Sequence, residues 1–284
     1  MVKQSALKPK EEKTKRMLDT TLYSLFLSIF VGVATGYLGS LMVLEKMALV
    51  GDALSHVALP GLAIGISFHF NPFLGAFVFL FVSAAIIWQI QRVTKISFEA
   101  LVGAMFTLAL AIGILLYGNN LDALEEALFG DISQVTLLST AIAAVVCVVA
   151  VVLTKLIYDK LVLAMISEDL AISKGIKVAR VNLLYLFLVS VVVAIGIQIV
   201  GTLLVGFLVI VPAIAAKNLS SHMRRYSWLS AVFGAISGFS GVLIWSIFFG
   251  PSSTIPFSGP LVVFSGIIIF AATIVINWKY KLTT

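Results

Sequence analysis

Apolar residues in this chain come in long runs divided by short polar stretches, rather than in alternation or as one stripe of a helix. The runs cover roughly 20–44, 48–68, 72–91, 97–117, 134–156, 181–199, 200–216, 226–249 and 260–279. Each full run is near the length that crosses about 30 Å of hydrocarbon at about 1.5 Å per residue. The pattern predicts an all-α polytopic membrane helix bundle of eight or nine transmembrane helices. The stretch Val181–Ala216 is too long for one span and short for two, and Gly196, Gly201, Gly206 and Pro212 interrupt it. It reads as a full span followed by a short or broken one, whose irregular backbone must sit inside protein or beside a cavity. Residues 1–17 form a polar, basic arm (Lys3, Lys8, Lys10, Lys13, Lys15, Arg16) and read as a loose surface segment before the membrane domain at 18–284.

Composition narrows the class. Of 284 residues, 61% are hydrophobic and 11% charged, where a soluble domain runs near half apolar and a quarter charged. The formal charge of +6 comes from 19 Lys and Arg against 13 Asp and Glu. The cations fall in clusters between apolar runs, which suits a polytopic protein and gives no reason to invoke nucleic acid. Cys147 lies inside an apolar run, so neither a disulfide framework nor a thiolate metal cluster is expected. The chain has no GxxxxGK[ST] loop, no HExxH, no nucleophile elbow and no CxxC, so ATP binding by that loop and enzyme chemistry are both disfavoured. The first apolar run is far longer than a signal-peptide core. What remains is a membrane translocator, receptor or assembly subunit.

Charge also orients the spans. Lys155, Lys160, Lys174, Lys177 and Arg180 share one connection, Lys217, Arg224 and Arg225 another, and Lys279 and Lys281 the tail. With Arg92 and Lys95, these belong on the cytoplasmic side. The connection 118–133 carries Asp122, Glu125, Glu126 and Asp131 without a cation, which suits the outer face. Nine alternating spans then put the N-terminus outside, against the six cations before residue 17.

The candidate chemistry sits in the second run. Between Lys46 and Arg92 the ionisable side chains are Asp52, His56 and His69. Asp52 and His56 stand four apart and so share a helix face. An aspartate at membrane depth costs about 2.5–3.5 kcal/mol on insertion scales, and a divalent cation would offset that. Carboxylate and imidazole together suit zinc, manganese or ferrous iron. One pair gives too few ligands; a two-fold dimer with this helix on its axis would double it to two Asp and two His. A plainer reading has Asp52 as an N-cap of the second span and His56 bonded to a neighbouring carbonyl. Pro60 and Gly61, one turn on, should kink or loosen the helix, which suits a gate or hinge. His69 reads as interfacial at the outer end, and His222 as solvated. Gly61 and Gly65, Gly234 and Gly238, and Gly241 read as close-packing positions between helices.

Gly51-Asp52-Ala53-Leu54-Ser55-His56, followed by Leu59-Pro60-Gly61, resembles the hallmark of the permease subunits of bacterial ABC transporters for zinc, manganese and iron. Further segments resemble that family in order: Glu99–Gly103, Leu128-Phe129-Gly130, Gly201–Val205 reaching Pro212-Ala213, and Pro256–Pro260. The resemblance implies an all-helical permease acting as a homodimer in the bacterial cytoplasmic (inner) membrane. Its implied partners are two copies of a cytoplasmic ABC ATPase and an extracytoplasmic metal-binding protein. Asp52 and His56 match the family's intramembrane metal pair, with the metal as cargo and no tightly bound cofactor. ATP hydrolysis would fall to the separate subunit, which explains the missing phosphate loop.

Ser167–Gly175, within the cytoplasmic loop 158–180, is similar to the family's coupling helix. Glu168, Asp169, Ala171 and Gly175 would then meet the ATPase. The residues agree: Ser167 is placed as an N-cap, the acids occupy the first turn, and Gly175 is a stop. The family usually has an acid where Ser167 stands. An ordinary surface helix would carry the same signals. The competing function is a secondary carrier driven by an ion or proton gradient, with Asp52 or Glu99 as relay. It predicts two matching interrupted helices, and the sequence shows one. An intramembrane metalloprotease lacks its motif, and cobalamin or siderophore permeases would not need the Asp52/His56 pair.

Overall fold

A computed structural model describes residues 2–44, 48–94, 96–118, 125, 127–130, 135–249 and 258–283. Side chains are described from Leu18 onward, except at 48–52, 92, 98, 99, 203 and 280–283. The elements are α1 (Val2–Leu44), α2 (Ala48–Val57), α3 (Leu59–Ser67), α4 (Pro72–Val93), α5 (Phe98–Tyr117), α6 (Leu137–Ile166), α7 (Glu168–Ser173), α8 (Val178–Leu219), α9 (Met223–Phe248) and α10 (Gly259–Thr283). No strand occurs among the described residues.

Apolar runs this long would propagate as helix indefinitely, so polar caps set their ends. Asn71 Oδ1 accepts from the amides of Phe73 and Leu74 at 2.9 and 3.3 Å, with Pro72 opening α4. Ser97 caps α5, and Thr136 with Ser139 forms a reciprocal capping pair at α6. Such caps satisfy first-turn N–H groups that have no partner within the helix.

Seven helices are long and apolar enough to cross a membrane, and Ala53–Ser67 and Leu204–Leu219 are shorter apolar ones. The second of these arises because α8 folds back on itself. Gly201 adopts φ 76°, ψ 171°, and a Cβ built on Gly196 would lie 2.6 Å from Val205 Cγ2. Residues nine apart on a straight helix are separated by about 13.5 Å, so the two arms run antiparallel around a one-residue turn. The ambiguous stretch of the sequence is therefore two passes, and the count is nine among the described residues.

α1 packs on α9 and both arms of α8. Gly32 meets the backbone of Gly234, Gly36 that of Ser230, and Gly39 the carbonyl of Val209. Small residues permit this approach where lipid gives helices no hydrophobic reason to associate. Gly238 lies on Ser28 and Gly241 on Val262, so the glycines read as packing positions are packing positions. Tyr185 Oη donates to Leu38 O at 2.8 Å, tying α8 to α1. The peripheral helices turn branched residues outward, as on α4 at Leu74, Val78, Val82, Ile86 and Ile90.

Along α1, residues 28, 32, 36 and 40 meet 238, 234, 230 and 227 in turn, so α1 and α9 are antiparallel. The cations at 217–225 mark the inner end of α9. α1 therefore enters from the same end as the acidic 118–133 connection, and nine-fold alternation holds.

Three expectations shift. Residues 2–17 continue α1 as helix instead of forming a separate loose arm. The run 48–68 is two helices, α2 and α3. The cytoplasmic loop is shorter than 158–180, because α6 extends to Ile166: Thr154, Tyr158 and Leu161 are buried one helical turn apart and keep that face packed.

Candidate functional site

α2 carries the Gly51–His56 segment. It starts at Ala48, so Asp52 lies in its second turn and is not the N-cap. The Asp52 and Glu99 carboxyl groups fall outside the described side chains. His56, one turn beyond Asp52, is 9% exposed, and its ring meets Phe106 of α5 edge-on at 5.2 Å. Among the described residues no group of three or more His, Cys, Asp or Glu is placed to hold a metal. The described residues place His56 on α2 one helical turn beyond the backbone position of Asp52.

The junction after His56 is a bend with a clear cause. Pro60 has no N–H to give the carbonyl of His56. The Ala58 amide bonds Ser55 O at 3.3 Å, a tighter helical turn, with Ala58 itself at φ −70°, ψ −24°. Gly61 then lies against the carbonyl of Gly75, and Gly65 2.6 Å (as a built Cβ) from Pro72 Cα, so α3 and α4 form a close hairpin. Pro60 sets the direction of the outer half-span and Gly61 its distance from α4.

A second constellation forms where α8 reverses. A Cβ on Gly201 would strike the carbonyl of Leu128 and the amide of Gly130, while one on Gly130 (φ 74°) would lie 2.7 Å from Gly201 N. Ser258 Oγ donates to Ile199 O at 3.0 Å, and Gly259 lies against Val200 O and Phe129 O. Three of the sequence segments that carried the resemblance, far apart in the chain, thus meet at one buried backbone joint. Beside it opens a cavity of about 620 Å³ lined by Leu62, Ile66, Ile142, Ile195 and Gln198 among others.

At the opposite end lies α7. Ser167 Oγ accepts from Leu170 N at 3.2 Å. The helix closes through Gly175 (φ 76°), whose amide bonds Ile172 O at 2.8 Å while Ile176 N bonds Ala171 O at 3.0 Å. This paired closure is the one a C-terminal glycine permits. Ala171 is buried and anchors the helix; Glu168, Asp169, Leu170 and Ile172 are exposed. The expected cap, acidic turn and stop are all in place. His69, at φ 54°, is exposed on the α3–α4 turn, and His222 is exposed before α9, both apart from His56.

Sequence reading passed over Phe106, which covers His56. It also missed a buried network in which Ser40 Oγ contacts Ser227 Oγ at 2.8 Å and Tyr158 Oη contacts Ser227 Oγ at 3.2 Å, joining α1, α6 and α9. The available signal was a serine within an apolar run, which is common enough to carry little information.

Nine apolar passes, a bent span with a buried imidazole and a capped helix at the cation-rich end define a multi-pass membrane permease. Residues 17–277 match the family model described as ABC 3 transport family, and the chain belongs to that family. It is 29% identical over 227 residues to a manganese transport system membrane protein of Listeria monocytogenes, covering 79% of this chain and 81% of that one. It is 29% identical over 268 residues to a Haemophilus influenzae protein named for iron transport, covering 94% and 93%. A high-affinity zinc uptake system membrane protein of Buchnera aphidicola is 25% identical over 258 residues, covering 89% and 97%. Among solved structures, PsaBC from Streptococcus pneumoniae in complex with Fab matches with TM-score 0.79 at 28% identity, over 93% of this chain and 95% of that chain. The family resemblance read from the sequence therefore holds, and the protein is a multi-pass component of the bacterial cytoplasmic membrane.

Proposed function

We propose that the chain is the membrane-spanning subunit of an ATP-driven importer of divalent transition metal ions, zinc, manganese or ferrous iron. It passes the ion from an extracytoplasmic binding protein to the cytoplasm. Two copies pair about a two-fold axis, and each binds one cytoplasmic ATPase subunit through α7. The observation that carries the reading is the buried His56 imidazole one helical turn from Asp52, on a bent span of an ABC 3 permease. The relatives named for manganese, iron and zinc support the class of cargo.

Asp52 and His56 from both copies supply four donors, enough for a brief tetrahedral stop. An ion must leave such a stop as readily as it enters, so the site holds it weakly. Pro60 and Gly61 form the hinge by which the outer half-span moves over the pair. Glu168, Asp169, Ala171 and Gly175 shape the helix that transmits the ATPase's movement.

Asp52→Ala and His56→Ala should each lower metal uptake in cells by roughly tenfold or more, since even a partner behind a ligand is worth about 10–100-fold. The purified complex should keep its size and its ATP hydrolysis. Wild-type uptake in both variants would refute the pair.

A further inference from the structure

Where α1 runs between α6 and α9, an apolar face ends in a cationic, aromatic cap at the inner end of the bundle. Phe26, Phe30, Val33 and Tyr37 recur at helical spacing on the side of α1 turned away from Val31, Thr35 and Leu38, which meet α8. Phe26 is exposed, Phe30 and Val33 are half-buried, and Tyr37 is buried. At the inner end α6 and α9 meet: Tyr158 Oη and Ser227 Oγ are 3.2 Å apart, and Arg224 Nη2 donates to both Asp159 oxygens at 3.2 Å. Beside them Trp228 packs on Tyr37 with ring centroids 5.3 Å apart, and Lys155 Nζ stands 5.9 Å from the centroid of the Trp228 ring. We propose that this face binds an anionic phospholipid of the inner leaflet. Lys155 and Arg224 hold its phosphodiester beside Trp228, and an acyl chain lies along Phe30 and Val33.

Charge selects the headgroup. α6 and α9 carry Lys155, Lys160, Arg224 and Arg225 against one acid, Asp159, and α1 has no charged residue from Thr20 to Leu44. Among the described residues Asp159 occupies a single nitrogen of Arg224, and Lys155 has no carboxylate partner. Basic sites between membrane helices on the cytoplasmic side suit acidic lipid headgroups. The walls select a chain beneath it. Val148 and Val152 share the α6 face of Lys155 and Asp159, and Val232 and Phe239 share the α9 face of Arg224 and Trp228; all four apolar side chains are exposed. From Tyr37 to Phe26 the floor rises about 16 Å, close to half of the ~30 Å hydrocarbon core, and so spans one leaflet. Trp228, 46% exposed, stands at the depth where tryptophan marks the headgroup boundary. The face belongs to α1, α6 and α9, apart from His56 on α2 and from α7.

The test uses the full-length permease, delipidated in detergent and given phosphatidylglycerol or phosphatidylcholine in equal amounts, with bound lipid read by native mass spectrometry. Wild type should retain phosphatidylglycerol in preference. Lys155→Gln and Arg224→Gln should each weaken that retention about fivefold, the worth of one cation near an acidic headgroup. Asp159→Asn frees Arg224 and should strengthen it. Lys217→Gln removes an inner cation on another side of α9, next to Ala216, which packs with Tyr226, and should change nothing. All four side chains are exposed, so the variants should keep the fold, which size-exclusion chromatography checks. Equal retention of the two lipids by wild type overturns the site. So does unchanged retention in Lys155→Gln and Arg224→Gln, or the absence of a gain in Asp159→Asn. An equal loss in Lys217→Gln also overturns it, leaving only a general attraction of acidic lipid to the basic end.

Discussion

Gly201 shows how much a single residue decides. Its φ of 76° with ψ 171° lies in a region essentially open to glycine alone, which costs another residue on the order of 1–3 kcal/mol. The added methyl would also meet the Leu128 carbonyl, and backbone cannot move aside as a side chain tip can. Gly201→Ala should lower the thermal midpoint of the detergent-solubilised protein and deplete it from the membrane fraction. Ser258→Ala removes the hydroxyl that bonds Ile199 O. Because the bond is buried, the change should cost about 1–3 kcal/mol, measurable as a shift in the same melt. The motif at Gly51–His56 was legible because an acid and an imidazole four apart stand out against 45 residues of otherwise nearly uncharged sequence. Phe106 was not, because one phenylalanine among 20 carries no mark of what it covers.

For the elements, legibility followed the physics that ends each helix. α7 was readable to the residue, since Ser167, the two acids and Gly175 are local signals that act within a turn of where they stand. The split of the second run into α2 and α3 was signalled by Pro60, but its outcome depends on how α3 packs against α4. The reversal in α8 was harder still. Four interruptions lie between 196 and 212, and nothing local says that the chain turns at Gly201 and stays helical through Gly196, Gly206 and Pro212. That choice is made by Leu128, Gly130 and Ser258. α7 gives the matching prediction: Gly175→Ala should open the Ile176–Ala171 and Gly175–Ile172 bonds. Amide exchange over 168–176 should then rise by roughly tenfold, following a loss of about 1–2 kcal/mol, while exchange in α9 stays unchanged.

For the whole molecule, the antiparallel pairing of α1 with α9 puts the start of α1 at the end of the bundle opposite the cations at 217–225, so the basic arm and the inner connections pull the charge rule in opposite directions. The positive-inside rule counts cations in short connections near spans, and the first helix does not always dominate it. Several inner connections carry more weight together than one basic arm. With Cys147→Ser as background, a cysteine at Asp19 should react with an impermeant maleimide added outside intact cells, and one at Lys217 should react only after the cells are opened. The reverse pattern would invert the bundle. Cys147 itself is buried, so it is shielded from the reagent in the unsubstituted background as well.

The one-residue turn at Gly201 also constrains how the protein is made. No hydrophilic connection separates the two arms of α8, so the first arm cannot be released into lipid and left waiting while the second is synthesised. Residues 258–259, which close against Ile199, Val200 and Phe129, are translated only after both arms and α9. The outer end of the bundle is therefore completed only when the final helix arrives, and a ribosome stalled before that helix leaves a product with its reversal uncovered, a natural handle for membrane quality control.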